Sequence, residues 1–428
     1  MNKTKVFLLA LAGLFAVSCA TNTVDETATV DANAMVAKKF VNTSDDAVEG
    51  ELIIYVDDEA AERMLNAECA TRSGSAIDAI AAEIGATEIK PVFNLNINGD
   101  VKRARGMHRW FTVVFPESVD LEVAAQSLAA EKSVERVQFA TKVIAPTSKI
   151  TEVDPSQFAQ TRSEELPYDD PMLSKQWHYR NLGLSETYPN AKAGADVNLF
   201  PAWEITAGRN DVIVAVVDEG VCYTHVDLKD NMWVNEAEAN GAEGVDDDGN
   251  GYVDDIYGLN AVRLSGEISW NVAAWDSDGY YDGDTGHGTH VAGTVAAVNN
   301  NGKGVCGVAG GTGKGDGVRL MSCQTFHEIP KTDPLYNVWP SGTDTCAARA
   351  FQYAADNGAH ISQNSWGYFS AETEGKDYWE LGPANDKDYK YQLKSEAGAI
   401  DYFVANGGGD KSVIDGGLVI FAAGNDSA

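Results

Sequence analysis

The polar and apolar positions divide the chain into stretches of different texture. Val6 to Val17 is an unbroken apolar run preceded by Lys3 and Lys5. Residues 20–48 are polar and without periodicity, the texture of a flexible tether. Short patterned segments then fill residues 49–140. Glu51 to Val56 reads as a strand. Ser75 to Gly85 reads as a helix, because Ile77, Ile80, Ala81 and Ile84 share one face. Glu88 to Phe93 and Trp110 to Phe115 read as strands, Leu121 to Ala130 as a helix and Val134 to Phe139 as a last strand. The order β-α-β-β-α-β is the split ferredoxin-like motif and predicts a small α+β domain. Residues 141–167 return to Pro, Thr, Ser, Gln and Glu and read as a linker. From residue 168 the texture changes again. Val212 to Val217 and Leu418 to Ala423 are apolar throughout and bounded by Gly, Asp and Asn, as strands buried on both faces of a parallel sheet are. Helical patterns at 287–298 and 345–357 lie between them. The expected fold of residues 168–428 is therefore α/β, a mostly parallel sheet with helices on both faces.

Composition narrows the function. With 44% hydrophobic and 22% charged residues the chain has the means for a large core. Its 64 acidic residues against 32 basic ones leave a net charge of −32, which disfavours nucleic acid as a partner. The N-terminal basic and apolar run is too short to span a bilayer and reads as an export signal over residues 1–18. Cleavage there would leave Cys19 first, after Ala16, Val17 and Ser18, which resembles a bacterial lipobox. Diacylation of Cys19 would tether residues 19–48, and the domains behind them, to a membrane of the cell envelope; without acylation the protein would be secreted. Of the other cysteines, Cys222, Cys306, Cys323 and Cys346 could pair as disulfides in an oxidising compartment or pack as buried thiols, and the sequence leaves both open.

Three motifs carry chemistry. Asp218 ends a buried strand and is followed by Glu219 and Gly220, the place where an α/β sheet presents functional groups. His287 stands between Gly286 and Gly288 at the start of a helix, open to approach on both sides as a general base must be. His290, one turn on, reads as a packed structural residue. Asn425 follows Gly424 after a buried strand, where its amide suits an oxyanion donor. In this order, with the blocks Asp169 to His178, Val216 to Leu228, Gly286 to Ala297, Gly358 to Gly367 and Val419 to Asn425, residues 168–428 resemble the subtilisin-like serine proteases. The resemblance implies a subtilisin-like fold and peptide or protein substrates. It implies that Asp218 orients His287 and that Asn425 donates to the oxyanion. Ser365, Trp366 and Gly367 would pair with extended substrate and wall its pocket. The domain over 49–140 resembles the family's inhibitory propeptide, an intramolecular partner.

The family's Gly-Thr-Ser nucleophile motif does not occur in the 428 residues. Two expectations compete: an interrupted peptidase cut off before its catalytic Ser, or a peptide-binding pseudoprotease; on either, the 428 residues as they stand are expected to show no peptidase turnover. Glu219 also departs from the family, which usually carries a small hydroxyl there; it could perturb the dyad or face solvent. Finally, Asp246, Asp248 and Asn250 match positions 1, 3 and 5 of a calcium loop, with Gly251 at the turn, Tyr252 at the backbone-carbonyl position and Asp254 at position 9. Tyr257 replaces the closing Glu, so this is no EF-hand. A structural calcium ion or a solvated acidic turn both fit the pattern.

Overall fold

The computed structural model describes residues 35–44, 47–66, 76–144, 166–183, 191–270, 274–275, 281–282, 286–326, 341–368, 389, 393–409, 412 and 414–424. The chain divides into two compact units, Met1–Lys39 and Phe40–Ala428. The described part of the first contains a helical turn over residues 35–37, with the Lys39 N–H donating to the Val36 carbonyl (3.0 Å). The expected signal segment and Cys19 lie outside the described residues, as does most of the tether.

The second unit begins with an antiparallel sheet. Its strands are β1 (Ala47–Val56), β2 (Glu88–Pro91), β3 (Trp110–Val114) and β4 (Val134–Ile144), in the order β4-β1-β3-β2. Helices α1 (Asp58–Asn66), α2 (Ala76–Glu83), α3 (Gly99–Ala104) and α4 (Leu121–Ala130) connect them. This is the expected split β-α-β arrangement. Asp120 starts α4, its carboxylate accepting from the N–H groups of Glu122 (3.0 Å) and Val123 (3.2 Å). Neither β1 nor β3 alternates cleanly, because both faces of the sheet are covered. Leu52, Ile53 and Ile54 are all fully buried. Ile53 and Trp110 belong to one core with Phe351 and Tyr353 of the following domain.

That domain is built on a parallel sheet. Its strands are β5 (Ile213–Asp218), β6 (Gly258–Asn260), β9 (Arg319–Gln324), β11 (Ile361–Asn364) and β13 (Leu418–Phe421), in the order β13-β11-β5-β9-β6. Two short pieces, β7 (Ala274–Trp275) and β8 (Tyr281–Asp282), form a separate ribbon. Helices α5 (Leu199–Trp203) and α6 (Glu236–Ala239) precede the longer α7 (His287–Ala296), α8 (Asp344–Asp356) and α9 (Lys394–Asn406). The central strand sends alternate side chains to the two helical layers. Val214 and Val216 pack with Ala292 and Ala296 of α7, while Ala215 and Val217 pack with Phe351 of α8. Helix α8 is buried from Asp344 to Ala355, since the parallel sheet covers one side and the antiparallel sheet the other.

Strand β4 runs four residues past the end expected for its domain. Its last residues pair antiparallel with β10 (Ser341–Thr343) on one side, Gly342 opposite Val143. On the other side they pair with β12 (Gly367–Tyr368), Gly367 opposite Ile144. The rest of the expected linker, residues 145–165, lies outside the described residues.

Candidate active site

Strand β5 ends in Asp218, a fully buried carboxylate at the C-terminal edge of the parallel sheet. Helix α7 starts beside it. Gly286, at φ 76°, turns the chain into the helix, and His287 is its first residue. Gly288 lets the helix end rest on the neighbouring loop: a β-carbon there would run into the Glu219 carbonyl oxygen. The result is a His287 Nδ1 to Asp218 Oδ1 distance of 2.7 Å. The Asp218 carboxylate only accepts, so Nδ1 carries the proton and Nε2 keeps its lone pair. The Glu219 N–H also donates to Asp218 Oδ1 (2.7 Å). Burial works against a proton on His287, but the hydrogen bond and charge of Asp218, with the charge of Glu219, outweigh it and raise the imidazole pKa.

Glu219 does not face solvent. It is buried at 2% exposure, and its Oε2 accepts from the backbone N–H of His287 (3.1 Å). His290 is exposed instead of packed, because α7 turns that face outward. Sequence reading missed the capping role of Glu219, since residues 219 and 287 are joined only by the fold.

The three substrate-segment residues separate in role. Trp366 is a core residue: its Nε1–H donates to the Val217 carbonyl (2.8 Å) and its ring meets Phe421 edge-on at 5.2 Å. It anchors the segment to β5 beside Asp218. The Ser365 hydroxyl accepts from Gln363 Nε2 (2.7 Å). Gly367 pairs with β4 through the backbone. The opposite wall, Ser341–Thr343, was not foreseen; Gly342 and Thr343 were its only signal. Asn425 lies outside the described residues, one position after Gly424.

In the acidic loop Asp246 accepts from the N–H groups of Asn250 (3.1 Å) and Gly251 (2.8 Å), and Asp248 from that of Asn250 (2.9 Å). Asp254 turns to the Gly244 N–H (2.9 Å). The Asn250 side-chain oxygen accepts from the Tyr252 N–H (2.8 Å). Tyr252 itself is buried, so its backbone carbonyl is what it offers a cation. The carboxylates that converge are Glu238, Asp248 and Asp255, with one oxygen of each within 4.8 Å of the others. Glu238 and Asp255 were missing from the expected set. Asn235 and Asn250 amides bridge Asp248 and Asp255 at 2.8 to 3.1 Å. Burial, with the like charges of Asp248 and Glu238, pushes the Asp255 carboxyl up to about 6. The three carboxylates already accept from amides, the Tyr353 hydroxyl and backbone N–H groups, yet an all-oxygen set of like charge is also the donor chemistry of a hard divalent cation.

The cysteines are free thiols among the described residues. Cys306, Cys323 and Cys346 are buried, and Cys222 is half-buried. Cys306 donates to Asp170 Oδ2 (3.2 Å).

A model of the subtilase family matches residues 209–428, half of the chain. The chain is 37% identical over 212 residues to a Plasmodium vivax protein called subtilisin-like protease 1, covering 46% of this chain and 30% of that one. It is 31% identical over 216 residues to the extracellular basic protease of Dichelobacter nodosus, covering 46% and 30%. Among solved structures, fervidolysin from Fervidobacterium pennivorans matches with 16% identity and a TM-score of 0.46, covering 91% of this chain and 42% of that one. The chain thus spans about a third of the length of these curated relatives. The catalytic-type blocks, the parallel sheet and the matched half of the chain agree: this protein belongs to the subtilase family.

Proposed function

We propose that the protein is an exported serine endopeptidase, folded here with residues 47–144 lying over its body as an internal inhibitor. One observation carries the reading: the chain's own β4 fills the strand position between β10 and β12, and Trp366, next to β12, bonds the Val217 carbonyl beside the Asp218–His287 pair. Extended peptides add to sheet edges in this way, so β4 occupies the place a substrate would take.

In this mechanism a serine hydroxyl, a poor nucleophile at neutral pH, loses its proton to Nε2 of His287. Asp218 holds the tautomer and stabilises the imidazolium. Asn425 donates to the oxyanion; loss of such a donor costs roughly 10²–10³ in rate. The 428 residues, which hold no Gly-Thr-Ser segment, should bind casein peptides without turning them over. A form that also carries such a segment should hydrolyse casein, and its His287→Ala variant should not; turnover absent from that form favours a peptide-binding pseudoprotease.

Three further assignments belong to this reading. Glu238, Asp248 and Asp255 hold a structural calcium ion, supported by their convergence and donor chemistry; of the set expected from the sequence, Asp246 and Asp254 brace the loop through backbone N–H groups instead. A melting temperature indifferent to calcium and EDTA would overturn it. Residues 1–18 direct export, and acylated Cys19 anchors the chain to the envelope; Cys19→Ala should move it from membrane to soluble fraction. Cleavage within 141–167 frees the body from that anchor. Labelled lipid persisting on the mature body would refute this. Among the described residues no helix is long and apolar enough to cross a membrane.

A further inference from the structure

We propose that Glu219 is a positioning residue for His287: its buried carboxylate caps the helix that carries the base and supplies a second negative charge to it. The inference rests on the reading of His287 as the general base and adds a group to it. The geometry has three parts. Glu219 Oε2 accepts from the His287 N–H at 3.1 Å, and the Glu219 side chain has almost no contact with water. Gly286, which starts the helix, has no side chain to cap it, and the carboxylate comes from another segment instead. The Glu219 N–H reaches Asp218 Oδ1 at 2.7 Å, so one residue touches both members of the pair.

The physical need is specific to this arrangement. The N-terminus of a helix carries about half a positive charge, which opposes protonation of an imidazole on its first residue. A general base must accept a proton during the reaction, so that opposition lowers its capacity. A carboxylate on the first N–H of the helix offsets the dipole. It also ties the His287 backbone, so the ring is held from two sides: Nδ1 by Asp218 and N–H by Glu219. Among the described residues Asp218 and Glu219 are the charged groups that bear on the His287 imidazole, and both act to raise its proton affinity.

The experiment follows the imidazole C2–H signal of His287 through a pH titration of the full chain by NMR. The seven histidines are distinguished with His287→Ala. Glu219→Gln keeps an acceptor oxygen and removes the charge; Glu219→Thr installs the small hydroxyl usual in the family and covers the case in which the Gln variant fails to fold. The expected result is a lower titration midpoint in both. Exchange of the His287 amide hydrogen should stay slow in Glu219→Gln and speed up in Glu219→Thr, the more so in Glu219→Ala. An unmoved midpoint in the folded variants overturns the proposal. Asp218→Asn separates the two readings. If it lowers the midpoint and the Glu219 variants do not, only the role of Glu219 fails. If none of them moves it, the catalytic pair itself fails.

Discussion

Two of the regions where carboxylates are buried in this molecule treat them in opposite ways. At the catalytic corner each has a partner of positive character. Asp218 meets the His287 ring at 2.7 Å, and Glu219 meets the first N–H of a helix at 3.1 Å. Where the antiparallel sheet lies on α8 and α9, Asp344 and Glu396 are fully buried, and one oxygen of Glu51 is buried with them. Asp344 accepts only from neutral donors, the Thr141 N–H (3.1 Å) and the Gln138 amide. Glu396 takes a hydroxyl from Tyr389 (2.7 Å), and its second oxygen has no hydrogen-bond partner among the described residues. Arg349 and, more weakly, Lys90 are the cations that bear on Glu51, and Arg349 spends its Nε–H on the Val92 carbonyl (3.1 Å). The contrast yields a simple rule. Burial raises Asp218 as well, but the hydrogen bond and charge of His287 work against that shift. Without such a partner, desolvation moves a carboxyl further toward its neutral form. Burial pushes Asp344 up to about 7 and raises Glu396 and Glu51 in the same direction.

The strongest consequence falls on the catalytic corner. In a form that carries the Gly-Thr-Ser segment, Asp218→Asn should reduce peptide hydrolysis by about 10⁴-fold, because the wrong imidazole tautomer is then favoured. Steady-state kinetics on an unstructured substrate checks this.

A matched pair also occurs on the sheet-to-body seam. Lys102 of α3 is fully buried and lies 2.6 Å from Asp356 of α8. Its ammonium also donates to the Asn94 carbonyl (2.8 Å), and Asp356 accepts from the Tyr402 hydroxyl (2.7 Å). Lys102→Met leaves a buried acid without its cation and should cost about 3–5 kcal/mol in urea unfolding. A loss below about 1 kcal/mol, the range of an exposed ion pair, would remove the contrast between matched and unmatched groups.

The unmatched group predicts a pH effect. The folded pKa of Asp344 is above its ordinary value near 4. Its contribution is therefore complete below that value and lost as pH rises through about 7. Glu396 and Glu51 act in the same direction. The seam between residues 47–144 and the body should be tightest in acid and loosen above neutral pH. Hydrogen exchange at the Thr141 amide, which Asp344 accepts, should speed up between pH 5 and pH 8 beyond the intrinsic base-catalysed change. Asp344→Asn should flatten that dependence. Glu396→Gln should have the weakest effect of the series. It should be more favourable at pH 8 than at pH 5, because the raised acid loses its stabilising proton as pH climbs, read as melting temperature.

Much of this was legible along the chain. The strands around residues 51, 110 and 213 were readable because their runs of Ile, Val and Phe have few other uses. Asp218 was readable because it ends an apolar strand two residues before Gly220, and His287 because Gly286 and Gly288 flank it. The acidic loop was readable in outline, but its convergent trio was not. Glu238 stands ten residues before Asp248, and only the folding of α6 onto the loop brings them together. Trp366 could be placed next to substrate by its neighbours in sequence, yet its ring is taken by the core. The extension of β4 past residue 140 was also invisible, because those residues find their strand partners more than 190 positions away.

What the amino-acid order determined alone is local. Side-chain periodicity sets which segments are strands or helices, glycines set where the chain turns, and net charge sets which partners are repelled. The fold decided whatever depends on who is buried beside whom. Glu219 is a helix cap because β5 and α7 meet. Asp344 holds a proton because a second sheet removes its water. Proton affinity is set by the dielectric and by the nearest charge, and neither exists until the chain has closed on itself.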